Sequence, residues 1–341
     1  MRAMRLRAPA PIEEKPLLLE QTPMPEPGPG QIRLRVKACA VCHTDLHIVE
    51  GELQPPRLPL TPGHQIVGEV DALGPDLSPD RRADLAENRF RIGDRAGAAW
   101  LAAVCGECGH CRAGRENLCD ASRFTGLHID GGYAEYAIAE ARFAYRIPEG
   151  FSAESAAPLL CAGIIGYRAL RLSGIEPGGR LGLWGFGASA HVAIQIARHW
   201  GCEIAVVSRS ASHRRQALEL GAAWAGGAGQ RPPFELDAAV NFTPAGATVP
   251  EGIAALRKGG TLALAGIHMS DLPAMPYALL YGERAVRSVA NSQRRDGDEL
   301  LQLAAAIPIR PRVELFALEQ ANEALARVKS SSIDGAAALV P

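Results

Sequence analysis

The chain lacks an excess of charge of either sign: 36 basic residues stand against 37 acidic ones, a formal net charge of -1. A nucleic-acid groove or a polybasic membrane patch needs a basic surplus, so neither is expected as the main function. Long apolar runs are also missing; none reaches the roughly 18 residues of a membrane span. The basic start, Met1 to Arg7, is followed by Pro9, Pro11, Glu13 and Glu14 rather than an apolar segment, so no signal peptide is expected. There is no internal repeat and no low-complexity tract. With 341 residues, 47% hydrophobic and 21% charged, the expectation is a soluble cytoplasmic protein of two domains.

What is present is a knot of cysteine. Of the eight cysteines, Cys105, Cys108, Cys111 and Cys119 fall in one short stretch. Two overlapping C-x-x-C steps and a fourth sulfur can wrap one tetrahedral ion, with Gly106 and Gly109 allowing the tight turns. Four thiolates with no open position describe a closed structural zinc site. Clustered cysteines in a cytoplasmic chain point to metal rather than disulfides. Cys39 and Cys42 also stand at C-x-x-C spacing, which fits half of a metal ribbon or a redox pair. Cys161, in an apolar run, is equally what a buried packing cysteine looks like.

The texture changes near residue 150. Before it, Gln31 to Ala38 alternates apolar and charged residues as a half-buried strand does, and Gln65 to Gly74 reads as another strand. The charged stretch 79–88 has no clean period and reads as a surface loop or short helix. After 150, strands and helices alternate. Strands are expected at 180–185, 203–207, 236–242 and 261–265, with helices after Gly187, at 212–220 and at 250–258. That order is the mark of a doubly wound parallel sheet. The tail is expected to hold helices near 296–306 and 319–328 and a last strand at 336–340.

Gly185, Gly187 and Ala190 follow a strand and open a helix, the context in which a Gly-rich turn approaches a dinucleotide pyrophosphate. A ligand-free βα turn has the same look. Where a carboxylate would accept from the cofactor ribose, the next strand ends in Ser208, Arg209 and Ser210, with Arg214 a turn later. That tip favours a 2′-phosphate, hence NADP over NAD; a solvated loop is the plainer alternative.

Taken together and in this order, Ala40–His47, Pro62–His64, the four-cysteine lobe, Leu159–Gly163 and the Gly185 loop resemble the zinc-dependent medium-chain alcohol dehydrogenases over nearly the whole chain. The resemblance implies a GroES-like β catalytic domain (1–150 plus 290–341, with the zinc lobe at 100–120) and an inserted Rossmann domain (151–289), with the active-site cleft between them. It implies a catalytic zinc on Cys42, His64 and Cys161, and a second zinc on Cys105, Cys108, Cys111 and Cys119. Thr44 matches the hydroxyl that hands on the substrate proton, His47 the outer end of that relay, and Asp45 the carboxylate that orients the histidine ligand. His43 matches a contact to the cofactor pyrophosphate, and Trp100 and Ile165 match walls of the alcohol pocket. Gln65 departs from the family, which usually has Glu after the ligand histidine. The implied activity is reversible oxidation of primary, and by extension secondary, alcohols with NAD(P) by a homodimer or homotetramer. An NADPH-preferring reductase of bulkier aldehydes is the second enzyme reading, and a nucleic-acid-binding zinc ribbon the non-enzymatic one.

Overall fold

The structure, a computed structural model, describes residues 1–75, 77, 90–307, 309–333 and 335–341. The expected loop at 79–88 lies outside the described residues. The chain divides into two compact units: Met1–Cys161 with Ser292–Ala305 and Arg310–Pro341, and Ala162–Asn291 with Ala306–Ile309.

The first unit is built on a mainly antiparallel sheet. Its strands lie in the order Val313–Ala317, Ala336–Val340, Gln31–Val41, Gln65–Leu73, Arg95–Ala98 and Ala144–Arg146, and Tyr136–Glu140 also pairs with Gln31–Val41. The alternation seen in the sequence is realised: Ile32, Leu34 and Val36 point into the core while Arg33 and Arg35 between them reach carboxylates outside. Phe316, Leu325 and Leu339 from the returning tail complete the same core, burial being the main driving force for this assembly. The antiparallel register sets Cys39 opposite Ile66 and Ala40 opposite Gln65. The chain therefore leaves one strand at Cys42 beside the point where it enters the next at His64.

This unit runs past residue 150 through Cys161. Ala156, Ala157, Leu159 and Leu160 are buried, and their apolar side chains tie 153–160 to the first sheet. The seven-residue helix His43–Val49 and the strand Val313–Ala317 were not marked in the sequence.

The second unit is a six-stranded, wholly parallel sheet in the order Trp224–Gly226, Glu203–Val207, Arg180–Trp184, Leu236–Asn241, Leu256–Leu264 and Ala285–Ser288. Numbered within the unit this is 3-2-1-4-5-6, the doubly wound dinucleotide-binding order. Helices Ala188–His199, Ala211–Glu219 and Thr248–Ala255 connect its strands, and Ala162–Ser173 leads into the first of them. One expectation needs correction. The helix read over 250–258 ends at Ala255, because Leu256 turns extended (ψ 141°) and pairs with Leu236 across the sheet.

Candidate metal centres and dinucleotide loop

Cys42 ends the first long strand and caps the helix His43–Val49. Asp45, at the third helical position, reaches back to close the cap, its Oδ2 accepting the Cys42 N–H at 3.0 Å. The other oxygen, Oδ1, accepts from His64 Nδ1 at 3.0 Å. Asp45 and His64 are both buried (0% and 1% of the side chain exposed), so this contact has almost no competition from water. With Nδ1–H committed to Asp45, the lone pair of His64 lies on Nε2, which stands 3.5 Å from Cys42 Sγ. Cys161, at the close of the buried 157–160 turn, brings the third donor; the Cys42, His64 and Cys161 donor atoms all lie within 4.8 Å of one another.

The electrostatics match a cation site. The neighbouring Cys161 thiol, then His64, hold the Cys42 thiol well below its ordinary range despite burial. Cys161 is pushed well up by the Cys42 sulfur and by burial. Burial pulls His64 down, but Asp45 and the Cys42 thiolate outweigh it and raise the imidazole to about 10. Cys161 and His64 therefore hold protons beside the Cys42 thiolate, and a divalent ion would displace them. Soft thiolates with one imidazole, gathered within 4.8 Å of one another, suit zinc. Cys39, the other half of the C-x-x-C spacing, is fully buried and is not one of these donors.

Thr44 is buried on the same helix. His43 is exposed, its ring centre 6.5 Å from that of His47, and His47 Nδ1 bonds Glu52. Trp100 stands edge-on to His64, with ring centres 5.1 Å apart, and stacks on Phe124 at 4.8 Å and 9°. Neither Phe124 nor Glu52 carries a local sequence signal. Phe124 meets Trp100 through the short pairing of Leu101 with Phe124, and Glu52 meets His47 through a turn. Gln65 is buried, and its Nε2 has no hydrogen-bond partner among the described residues. Ile165 is half-buried in the helix Ala162–Ser173 of the second unit.

The second donor group is the lobe. The sulfurs of Cys105, Cys108, Cys111 and Cys119 lie within 4.8 Å of one another. Backbone N–H groups already point at sulfur, Cys108 N to Cys105 Sγ at 3.3 Å and Cys111 N to Cys108 Sγ at 3.5 Å. Such bonds, led by that from Glu107, bring Cys105 down to about 7, whereas burial and the Cys108 sulfur take Cys111 up to about 12. The set is all sulfur and offers no proton acceptor for chemistry, so it fits a structural ion.

In the second unit, Gly185 takes the left-handed conformation (φ 82°) where a Cβ would come within 2.9 Å of Thr243. Gly187 caps the helix Ala188–His199 without any side chain over its first turn, and Ala190 is fully buried beneath it. With no side-chain cap, the first-turn N–H groups have no side-chain acceptor at that end, the setting in which a helix N-terminus binds an anion. At the next strand end, Ser210 is occupied in capping the helix Ala211–Glu219. Arg214 Nη1 is bound to the carbonyls of Ser208 (2.7 Å) and Arg209 (2.9 Å). Arg209 itself is exposed.

Comparison with known proteins agrees with these features. Residues 28–149 match the alcohol dehydrogenase GroES-like domain, and residues 190–306 match the zinc-binding dehydrogenase family model. A probable alcohol dehydrogenase, AdhA, of Mycobacterium tuberculosis is 46% identical over 341 residues, covering 100% of this chain and 97% of that protein. An alcohol dehydrogenase of Geobacillus stearothermophilus is 32% identical, covering 94% and 95%. The crystal structure of the Aeropyrum pernix alcohol dehydrogenase superposes with a TM-score of 0.85 at 27% identity, over 100% of both chains. The chain belongs to the zinc-dependent medium-chain alcohol dehydrogenases, enzymes that move a hydride between an alcohol and a nicotinamide cofactor.

Proposed function

We propose that this enzyme interconverts primary alcohols and aldehydes, and secondary alcohols and ketones in the same way, with a catalytic zinc on Cys42, His64 and Cys161. The observation that carries the reading is the convergence of those three donors, with Asp45 fixing the histidine from behind. A zinc ion there supplies Lewis acidity toward the alcohol or carbonyl oxygen. A bound nicotinamide supplies the hydride acceptor or donor.

The protein's own part is to hold and move protons. Asp45 keeps His64 in the tautomer that leaves Nε2 free. Thr44 offers a hydroxyl that both accepts and donates, as a group passing on the substrate proton must, and His47 receives that proton at the outer end of the relay. Trp100 with Phe124 stacked behind it gives one apolar wall beside His64, and Ile165, by family likeness, is a substrate-contacting residue of the second unit. The loop of Gly185, Gly187 and Ala190 is assigned to the cofactor pyrophosphate, and His43, by family likeness, to a cofactor contact. A second zinc on Cys105, Cys108, Cys111 and Cys119 holds the lobe. Gln65 leaves the catalytic ion without the nearby negative charge that a Glu would give it.

NADP is the favoured cofactor, supported by the absence of a carboxylate among Ser208, Arg209 and Ser210 and by the nearby Arg214. NADPH-dependent reduction of bulky or aromatic aldehydes is a second reading, favoured by that tip and by the flat Trp100–Phe124 stack. Assembly as a homodimer or homotetramer is supported by the strand Ala285–Ser288. It forms an outer edge of its sheet, and Tyr277 and Tyr281 lie exposed in the segment leading into it. No helix among the described residues is long and apolar enough to cross a membrane. Cysteines gathered in metal-donor sets rather than spaced for disulfides support a reducing, cytoplasmic setting.

The test is metal content with a cofactor and alcohol panel on the zinc-loaded protein. Two zinc ions per chain are expected, one for each donor group. A higher kcat/KM with NADP than NAD is expected, with ethanol and benzyl alcohol separating the two substrate readings. One zinc per chain, or no alcohol-dependent reduction of either cofactor, would remove the proposal.

A further inference from the structure

The helix His43–Val49 is closed by a turn that folds the chain back over its last residues. Glu50 N–H donates to Leu46 O at 2.8 Å, Gly51 N–H to Ile48 O at 3.2 Å and Leu53 N–H to His47 O at 3.0 Å. Gly51 makes the reversal possible: its φ is 83°, and a Cβ there would come within 2.9 Å of Pro9. The outcome is that Glu52, beyond the helix, returns to His47 within it, and its carboxylate accepts from His47 Nδ1. The histidine side chain is 20% exposed and the glutamate 60%, so the imidazole is sheltered while the carboxylate faces water.

We propose that Glu52 is a positioning residue for the proton relay, fixing the tautomer and ring orientation of His47. The inference rests on the reading of His47 as the outer end of that relay. A carboxylate can only accept, so Nδ1 carries the hydrogen and Nε2 keeps the ring's lone pair. In the alcohol-oxidising direction Nε2 takes up the arriving proton. The imidazolium so formed keeps its Nδ1–H on Glu52 and then loses the Nε2 proton to solvent, which returns the ring to its starting state. Without Glu52 both tautomers of the neutral ring are available, and one of them presents a hydrogen where an acceptor is needed. The ring also loses one restraint on its orientation.

The experiment is a double-mutant cycle on the zinc-loaded enzyme with E52Q, E52D, H47Q and the H47Q/E52Q pair. The reading predicts that Glu52→Gln lowers kcat roughly tenfold with little change in the KM for alcohol, because an amide can donate to Nδ1 as well as accept from it. Glu52→Asp should restore part of the loss, and the double variant should be no slower than H47Q alone. In 15N-histidine-labelled protein, the ring nitrogens of His47 should show one tautomer in the parent and a mixture in E52Q. Full activity and a single unchanged tautomer in E52Q, with H47Q slow, would overturn the positioning role and leave the relay standing. Losses that multiply in the double variant would also overturn it, since Glu52 would then act elsewhere. An H47Q variant as fast as the parent would overturn the relay reading itself, and this inference with it.

Discussion

Arg294 grips Glu116 with its side chain and its backbone together. Its Nε lies 3.1 Å from Oε1, its Nη2 lies 2.8 Å from Oε2, and its own N–H donates to Oε1 at 2.8 Å. The guanidinium also covers the Phe143 ring at 4.6 Å. Glu116 is the lobe residue between Cys111 and Cys119, and Arg294 begins the helix Arg294–Ala306 soon after the chain re-enters the first unit. Gln293 adds a bond to Gly114 O at 2.7 Å. The cysteine lobe is thus fastened to the returning chain by a half-buried, bidentate ion pair.

Replacing Arg294 by Met should therefore destabilise the protein by about 2 kcal/mol, between the value of an exposed pair and the cost of orphaning a buried one. Replacement by Lys should recover little, because an ammonium cannot make the parallel bonds of the fork. Denaturant melts of the two variants check this. Equal stability of parent and Arg294→Met would mean that the lobe is held by its metal and backbone alone.

Asp45 should matter for metal affinity more than for the fold. Asparagine at this position can still accept the Cys42 N–H through its oxygen, so the helix cap survives. Its amide nitrogen cannot accept from His64 Nδ1, and the ring loses the partner that makes Nε2 the ligand. Zinc affinity at the catalytic group should fall about 10- to 100-fold, read by competition with a coloured chelator. Lobe zinc should be unaffected.

The lobe could be read from the sequence because its four donors are neighbours in the chain, and their spacing nearly dictates the wrap. Cys42, His64 and Cys161 could not be joined that way. The Ala40 to Gln65 register brings the first two together, and the buried 157–160 turn delivers the third. Their grouping rested on likeness to a family. The alternating Rossmann elements stood out through long periodic runs, whereas His43–Val49 is too short to show a period and Ala255–Leu256 is settled by pairing with Leu236. Contacts such as Trp100–Phe124, Arg294–Glu116 and His47–Glu52 depend on turns and on the returning chain, which no local pattern records.

Acid should weaken the anchoring of the N-terminal strand. Glu135 accepts the backbone N–H of Arg2 at 2.8 Å and its side-chain Nε at 2.9 Å, and these bonds hold its carboxyl below the ordinary 4.5. A lowered folded-state value means that the contribution is complete above about pH 5 and is lost as the pH falls through the folded-state value. Glu135→Gln keeps an acceptor but not the charge. It should be less stable than the parent at pH 7, and the gap should close as the pH drops toward 3. A gap of constant size in urea melts across that range would show that the charge contributes nothing.

Cofactor choice should turn on Arg209 more than on Arg214. Both are cations at the tip of the second strand, but Arg214 already spends Nη1 on the Ser208 and Arg209 carbonyls, and Ser210 is engaged in capping its helix. Arg209 is exposed, which leaves its guanidinium able to meet a 2′-phosphate. A charge-assisted bond of this kind is worth roughly 1.5–3 kcal/mol, or about 10- to 100-fold in affinity. Arg209→Ala should therefore lower kcat/KM for NADPH by that factor and leave NADH nearly unchanged. Arg214→Ala should instead loosen the tip itself and depress kcat/KM with the two cofactors together. If Arg209→Ala lowered NADPH and NADH equally, the tip would not be reading the phosphate, and the preference would have to come from elsewhere in the loop.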